Sequence, residues 1–285
     1  RHIMTAVQRS RDHLDWPQLL LPWQVVRRLA VHGTLLGQFT LRDVLSRYRG
    51  SYLGVVWSLL RPLGMLSVYV VVFGFILKPQ LGAGAGKLDF ALSMFCGLIL
   101  FDFFAEAIGR APTLVVSRPN FVTKVVFPLE ILSLSAVTAA LVQMLISFIP
   151  FFCGVLLVRG TVPATAMMLP FVVAPLACFA LGLSWFLSSL GVFVRDLGAA
   201  VPLLLTVLMF ASAIFYSLES VPSEFRWLFD LNPIAALVDD ARSVALLGRA
   251  PAWGRLGAIS AVGIAFAVAG YAFFMRTKRS FADVI

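Results

Sequence analysis

Residues 42–77 read RDVLSRYRGSYLGVVWSLLRPLGMLSVYVVVFGFIL, and in them a basic amphipathic segment runs directly into an apolar run of membrane length. Residues 53–77 carry one charge, Arg61. A bilayer hydrocarbon core is about 30 Å thick and about 20 helical residues cross it. The stretch is therefore predicted as a first membrane span. Arg42, Arg47 and Arg49 precede it, while Lys78 and Lys87 are thinly spread after it, so its N-terminal side is expected in the cytoplasm. Within it Trp57, Arg61, Met65, Tyr69 and Phe73 recur every fourth residue and form one slowly winding stripe on a helix.

A charge at that depth costs about 2.5–3.5 kcal/mol on insertion scales, so Arg61 is expected to face protein, a water-filled path or, by snorkelling, the interface. Aromatic faces beside polar groups suit sugars, which gives Trp57, Arg61, Tyr69 and Phe73 a reading as the lining of a translocation path. Ordinary helix packing is the equal alternative. Pro62 removes one helical hydrogen bond and predicts a kink.

Working outward, the whole chain of 285 residues is 60% hydrophobic and only 13% charged, with a mean hydropathy of +0.93. Those values define a polytopic membrane protein. The net charge of +9 has a topological explanation in cytoplasmic Lys and Arg, so nucleic acid is not expected as a partner. Cys96, Cys153 and Cys178 lie in apolar runs without CxxC spacing, which argues against a disulfide frame or a zinc site.

Residues 1–52 are expected as a cytoplasmic N-terminal segment without a cleavable signal peptide. Within them, residues 22–48 read either as an interfacial amphipathic helix, broken near Gly33 and Gly37, or as a positive flank that only sets topology. Beyond the first span, PQLGAGAGKLD at 79–89 makes an outer loop; it lacks both the spacing of a phosphate-binding loop and the hydroxyl after Lys87. No nucleotide site is expected in this chain.

Further spans are predicted at about 91–108, 127–158, 164–194, 199–216 and 253–274, giving an all-α protein with six transmembrane helices in residues 53–275 and a cytoplasmic tail at 276–285. Asp102 and Glu106 share a face of the second span, and Glu130 lies near the inner end of the third. Structural pairing with Arg110, Arg118 or a neighbouring helix is preferred for the two acids over a proton relay, since no histidine lies in any span. Residues 110–126 form a long basic inner loop, and Arg195 and Asp196 a tight inner turn. Residues 217–251 are too polar to cross and read as two short outer helices split at Asn232-Pro233. This topology places 16 of the 23 Lys and Arg on the inner side, as the positive-inside rule requires.

RYRGSYLGVVWSLLRPL at 47–63, VYVVVFG at 68–74, FFAEAI at 103–108, SRPNFVTKVVFPLEIL at 117–132, FVRDLG at 193–198, LNP at 231–233 and FADVI at 281–285 together resemble the permease subunits of ABC type-2 polysaccharide exporters. The resemblance covers residues 47–285 and implies export of a lipid-linked glycan such as O-antigen, capsule or teichoic acid across the bacterial inner membrane, with both termini cytoplasmic. It implies two copies of this chain with two copies of a separate ATPase, which would bind the ATP and Mg, this chain having no cofactor of its own. By position, Arg118, Asn120, Phe121 and Lys124 correspond to the coupling helix that docks on the ATPase. Arg195 and Asp196 match the inner turn, and Trp227, Phe229, Asn232 and Pro233 fall in the outer gate helices. Leu129 and Arg61 depart from the pattern, where a basic and a neutral polar residue are expected. The first departure leaves Glu130 without its usual neighbour, and the second adds a charge suited to an anionic substrate.

Other classes fit less well. A type-2 permease for a drug or small lipophile shares the architecture. A membrane-embedded acyl- or glycosyltransferase would need a clustered nucleophile, base or metal site, whereas the histidines here, His2, His13 and His32, all precede the first span. An ion-coupled secondary transporter would show internal inverted repeats, which the sequence lacks.

Overall fold

The structure, a computed structural model, describes residues 32–47, 49–72, 86–123, 127–215, 224, 227 and 231–284. The regular structure among these residues is helical, with no strand among them. Helix α1 is Gly33–Ser46, α2 Trp57–Tyr69, α3 Lys87–Gly109, α4 the single turn Pro119–Thr123, and α5 Glu130–Arg159. They are followed by α6 Leu169–Phe193, α7 Leu197–Phe210, α8 Pro233–Ala245, α9 Trp253–Thr277 and α10 Phe281–Val284. Short 3-10 turns at Gly54–Val56, Ala111–Thr113, Ala164–Met168 and Lys278–Ser280 lead into or out of the longer helices.

Five helical segments are long and apolar enough to cross a membrane: Gly54–Val72, Leu88–Thr113, Glu130–Arg159, Ala164–Phe193 and Trp253–Val284. The predicted fifth span corresponds to α7, which has 14 residues. At 1.5 Å per residue it reaches about 21 Å, short of a full crossing. Five full-length spans and one short apolar helix are therefore what the described residues hold.

The spans form where apolar sequence is continuous and stop where the backbone finds a cap. The 30-residue α5 ends on Gly160, whose positive φ of 74° lets its N–H reach back to Leu156. Helix α8 begins at Asn232, whose side chain accepts from the Ile234 N–H, with Pro233 in the first position. Helix α2 continues through Pro62, and α1 through Gly37. No break interrupts α1, and its descent into the protein is marked by Asp43, which is buried.

Helix α9 packs along α6 more extensively than any other pair among the described residues. Glycines permit this: a Cβ on Gly182 would run into the Phe266 carbonyl, and one on Gly270 into the Gly182 carbonyl. Without water to drive association, membrane helices gain from such close backbone approach. The main core lies among α3, α5, α6 and α8 and includes Phe95, Phe103, Phe104, Phe151, Leu176 and Leu237.

A second core sits at the end of the bundle where α5 begins and α9 finishes. Leu129, Trp185, Tyr271, Phe274 and Phe281 fill it, with Phe39, Phe121 and Phe127 packed against it. Here the structure supplies what the sequence reading left missing, because Glu130 is not alone. Its Oε2 accepts from Lys278 Nζ at 2.7 Å, and its carbonyl accepts from Trp185 Nε1 at 3.0 Å. The carboxylate also sits in the first turn of α5, where the helix dipole favours it.

Candidate functional site

The end of the bundle where α5 begins presents a loop built on rigid supports. After α3, the 3-10 turn Ala111–Thr113 lies against α6, and its Pro112 carbonyl occupies the space a Cβ would need at Gly191. Leu114 and Val115 are buried, so the loop is anchored before it turns outward. Ser117, Pro119 and Asn120 are then exposed. Phe121 points back, forming a three-ring cluster with Phe39 and Phe127 at centroid distances of 4.7–5.8 Å. Arg118 also points back: its guanidinium donates to Asp43 Oδ1 at 3.1 Å.

Of the four residues assigned to docking by sequence, Asn120 is thus the one whose side chain is displayed. Arg118 and Phe121 hold the loop to α1, and Lys124 lies outside the described residues. The exposed Arg195 and Asp196 lie beside this loop, since a Cβ placed on Gly198, two residues past Asp196, would lie 3.5 Å from Thr113 Cγ2. Asp196 starts α7, its carbonyl accepting from the N–H groups of Ala199 and Ala200 at 3.0 Å.

On the first span, Trp57 and Met65 are 45% exposed and Arg61 is also exposed. Tyr69 is half-buried against the main core, and Phe73 lies outside the described residues. Asp102 of α3 is exposed too, within electrostatic reach of Arg61 and Tyr69. Neither Arg61 nor Asp102 forms an ion pair among the described residues. Two such charges cannot face hydrocarbon, so this side of the chain turns toward protein or water. Arg61 therefore shares its surface with an opposite charge, and the face is mixed rather than purely cationic.

Glu106, one turn beyond Asp102, behaves differently. It pairs with Arg47 at the end of α1, a neighbouring helix rather than Arg110 or Arg118, whereas Asp102 has no such pair among the described residues. Among the described residues no three His, Cys, Asp or Glu side chains gather to hold a metal.

At the opposite end, the second predicted outer helix is α8, capped by Asn232 and Pro233 as the split was placed. Trp227 is exposed, while Phe229 and most of the first outer helix lie outside the described residues. Helix α8 is largely embedded: Ile234, Leu237, Val238, Ala241 and Val244 belong to the main core. Ion pairs brace this end, with Arg159 to Asp89 at 2.6 Å and Arg255 to Asp240 at 2.7 Å.

Sequence reasoning missed Arg242. Its Nε donates to the Ser93 carbonyl at 3.0 Å, and its other nitrogens to Ala213 and Ile214 at 3.1 and 2.7 Å. Loss of hydration pulls its pKa below the ordinary arginine value, with Cys96 and Asp239 opposing that shift. An arginine set among the apolar positions 237, 238, 241 and 244 was the available signal.

A bundle of membrane-length helices, with a braced loop at one end and an embedded helix at the other, defines a polytopic membrane protein. The chain belongs to the ABC-2 type transporter family, whose pattern it matches over residues 34–246. It is similar to the O-antigen export system permease protein RfbA of Myxococcus xanthus, 29% identical over 265 residues covering 92% of this chain and 99% of that protein. A protein of the same name from Klebsiella pneumoniae is 25% identical over 253 residues, 88% of this chain and 95% of the relative. The polysialic acid transport protein KpsM of Escherichia coli is 24% identical, covering 73% of this chain and 80% of its own.

Proposed function

We propose that this chain is the transmembrane permease of an ATP-driven exporter that moves a lipid-linked polysaccharide, of O-antigen or capsule type, across the bacterial inner membrane. The observation that carries this reading is the end-to-end match to an O-antigen export permease, which leaves 1% of that relative uncovered. Two copies of the chain work with two copies of a separate ATPase subunit, which binds ATP and Mg and hydrolyses the nucleotide. Both termini are cytoplasmic, and the permease itself performs no chemistry.

The geometry supports this division of labour. Asn120, Arg195 and Asp196 form an exposed inner patch fit for an ATPase surface, backed by a core that resists deformation. The mixed face of Trp57, Arg61, Tyr69 and Asp102 is fit to line a path against the second copy, where aromatic stacking tolerates a sliding glycan. Because Asp102 accompanies Arg61, a neutral or mixed-charge glycan suits this face better than a strongly anionic one.

Deleting the gene tests the reading. The lipid-linked glycan is expected to accumulate on the cytoplasmic side while surface glycan disappears, and copurification of the native chain is expected to bring down its ATPase. Normal surface glycan in the deletion strain would overturn the proposal.

A further inference from the structure

Helix α7 stops partway through the bundle. The helix ends at Phe210, Ala213 takes a positive φ of 50°, and Ser212, Ala213 and Ile214 are all buried. Carbonyl groups freed at a helix end inside a membrane protein need donors, because no bulk water reaches them.

Helix α8 provides those donors. Asn232 Nδ2 donates to the Ala211 carbonyl at 3.0 Å and to Ser212 Oγ at 3.1 Å, while its Oδ1 caps α8. Arg242 reaches the Ala213 and Ile214 carbonyls and, through Nε, the Ser93 carbonyl of α3. The planar guanidinium fork is suited to holding several acceptors at once, which a lysine ammonium on a flexible stem is not. Gly97 leaves the room: a Cβ there would come 3.1 Å from an Arg242 nitrogen and 3.0 Å from Val238.

The two ends of α7 therefore differ in kind. One begins at the exposed inner turn of Arg195 and Asp196; the other is bound to α8. Helix α8 in turn reaches the opposite end of the bundle, where the Val244 carbonyl accepts from Thr165 Oγ1 at 2.6 Å and the Leu246 carbonyl from Arg159. We infer that Arg242 and Asn232 latch the open end of α7 to α8, making the two helices one mechanical unit that carries displacement of the inner turn to the outer face. Its use in export rests on the function proposed above; the latch itself is a property of this chain.

Spin labels on Leu203→Cys of α7 and Leu247→Cys beyond α8, both exposed, test this in the ATPase complex held in lipid nanodiscs. Cys153 and Cys178 are first replaced by Ser, and the buried Cys96 is kept. With doubly labelled permease diluted into an excess of unlabelled permease, so that each complex carries one labelled chain, one narrow distance distribution is expected, unchanged on adding ATP. Arg242→Gln is expected to broaden it at least twofold and to lower glycan export at least tenfold with folded yield retained, and Arg242→Lys to fall between. Asn232→Asp keeps the cap acceptor for Ile234 but loses both donated bonds, so it also broadens the distribution and decides the matter where Arg242→Gln does not accumulate. Distributions as narrow as the parent's in these variants, or separation of the labels on adding ATP to the parent, would overturn the latch. A parent complex with a narrow distribution that exports no glycan would instead count against the proposed function alone.

Discussion

Arg118 donates to Asp43 Oδ1 across 3.1 Å, and Asp43 is only 4% exposed, so the loop after α3 is tied to α1 by a largely buried ion pair. Removing one partner of such a pair leaves the other charge stranded and typically costs about 3–5 kcal/mol, a figure to be lowered here because Arg118 remains partly exposed. Arg118→Ala is expected to lower the Tm of the purified permease, and the exchanged pair Asp43→Arg with Arg118→Asp to recover part of the loss. Equal Tm values for Arg118→Ala and the parent would show that the pair does not hold the loop.

Asn120 is exposed and outside either core, so a bulky residue there changes the surface without disturbing packing. Asn120→Trp is expected to leave folding stability within about 0.5 kcal/mol of the parent, while reducing ATPase association and glycan export severalfold. Pull-down of the ATPase beside a surface-glycan assay measures both. Undiminished association would move the docking patch elsewhere.

Gly182 and Gly270 set the approach of α6 and α9, and the atoms a side chain would meet are backbone carbonyls that cannot rotate away. Gly270→Val is expected to exceed the usual overpacking cost of about 1–3 kcal/mol and to abolish accumulation of folded protein. Gly254→Val on the same helix, where nothing lies within 4 Å, serves as the control and is expected to accumulate normally. Size-exclusion yield compares them.

Trp57→Ala removes a ring that is nearly half exposed in the single chain. Export is expected to fall while folded yield stays near that of the parent. Asp102→Asn is expected to shift the selectivity of export toward more anionic glycans, because Arg61 then stands without its opposite charge. Loss of export that simply follows loss of folded protein would identify this face as packing. Counting exported glycan per folded complex distinguishes the two.

Cysteines at Ser117 and Arg249, both exposed, report orientation. In sealed cells lacking other reactive cysteines, Arg249→Cys is expected to label and Ser117→Cys only after permeabilisation. The reverse pattern would invert the topology.

Apolar length and turn chemistry are local properties, and they were enough to place five helices of membrane length and the start of a further helix at Asn232-Pro233. The succession of motifs between residues 47 and 285 pointed to the family. Three things required the tertiary structure. Partner choice did, because Glu130 with Lys278, Glu106 with Arg47, and Arg118 with Asp43 join residues at least 59 positions apart, a separation no periodicity encodes. The end of α7 did as well: residues 211–215 are as apolar as the helix before them, and their departure from it is stabilised by Arg242 and Asn232 reaching in from α8. Finally, whether Arg118 and Phe121 face a partner or their own chain was undetermined until α1 was seen to close over them, since sequence fixes which side chains a loop carries but packing decides which of them remain exposed.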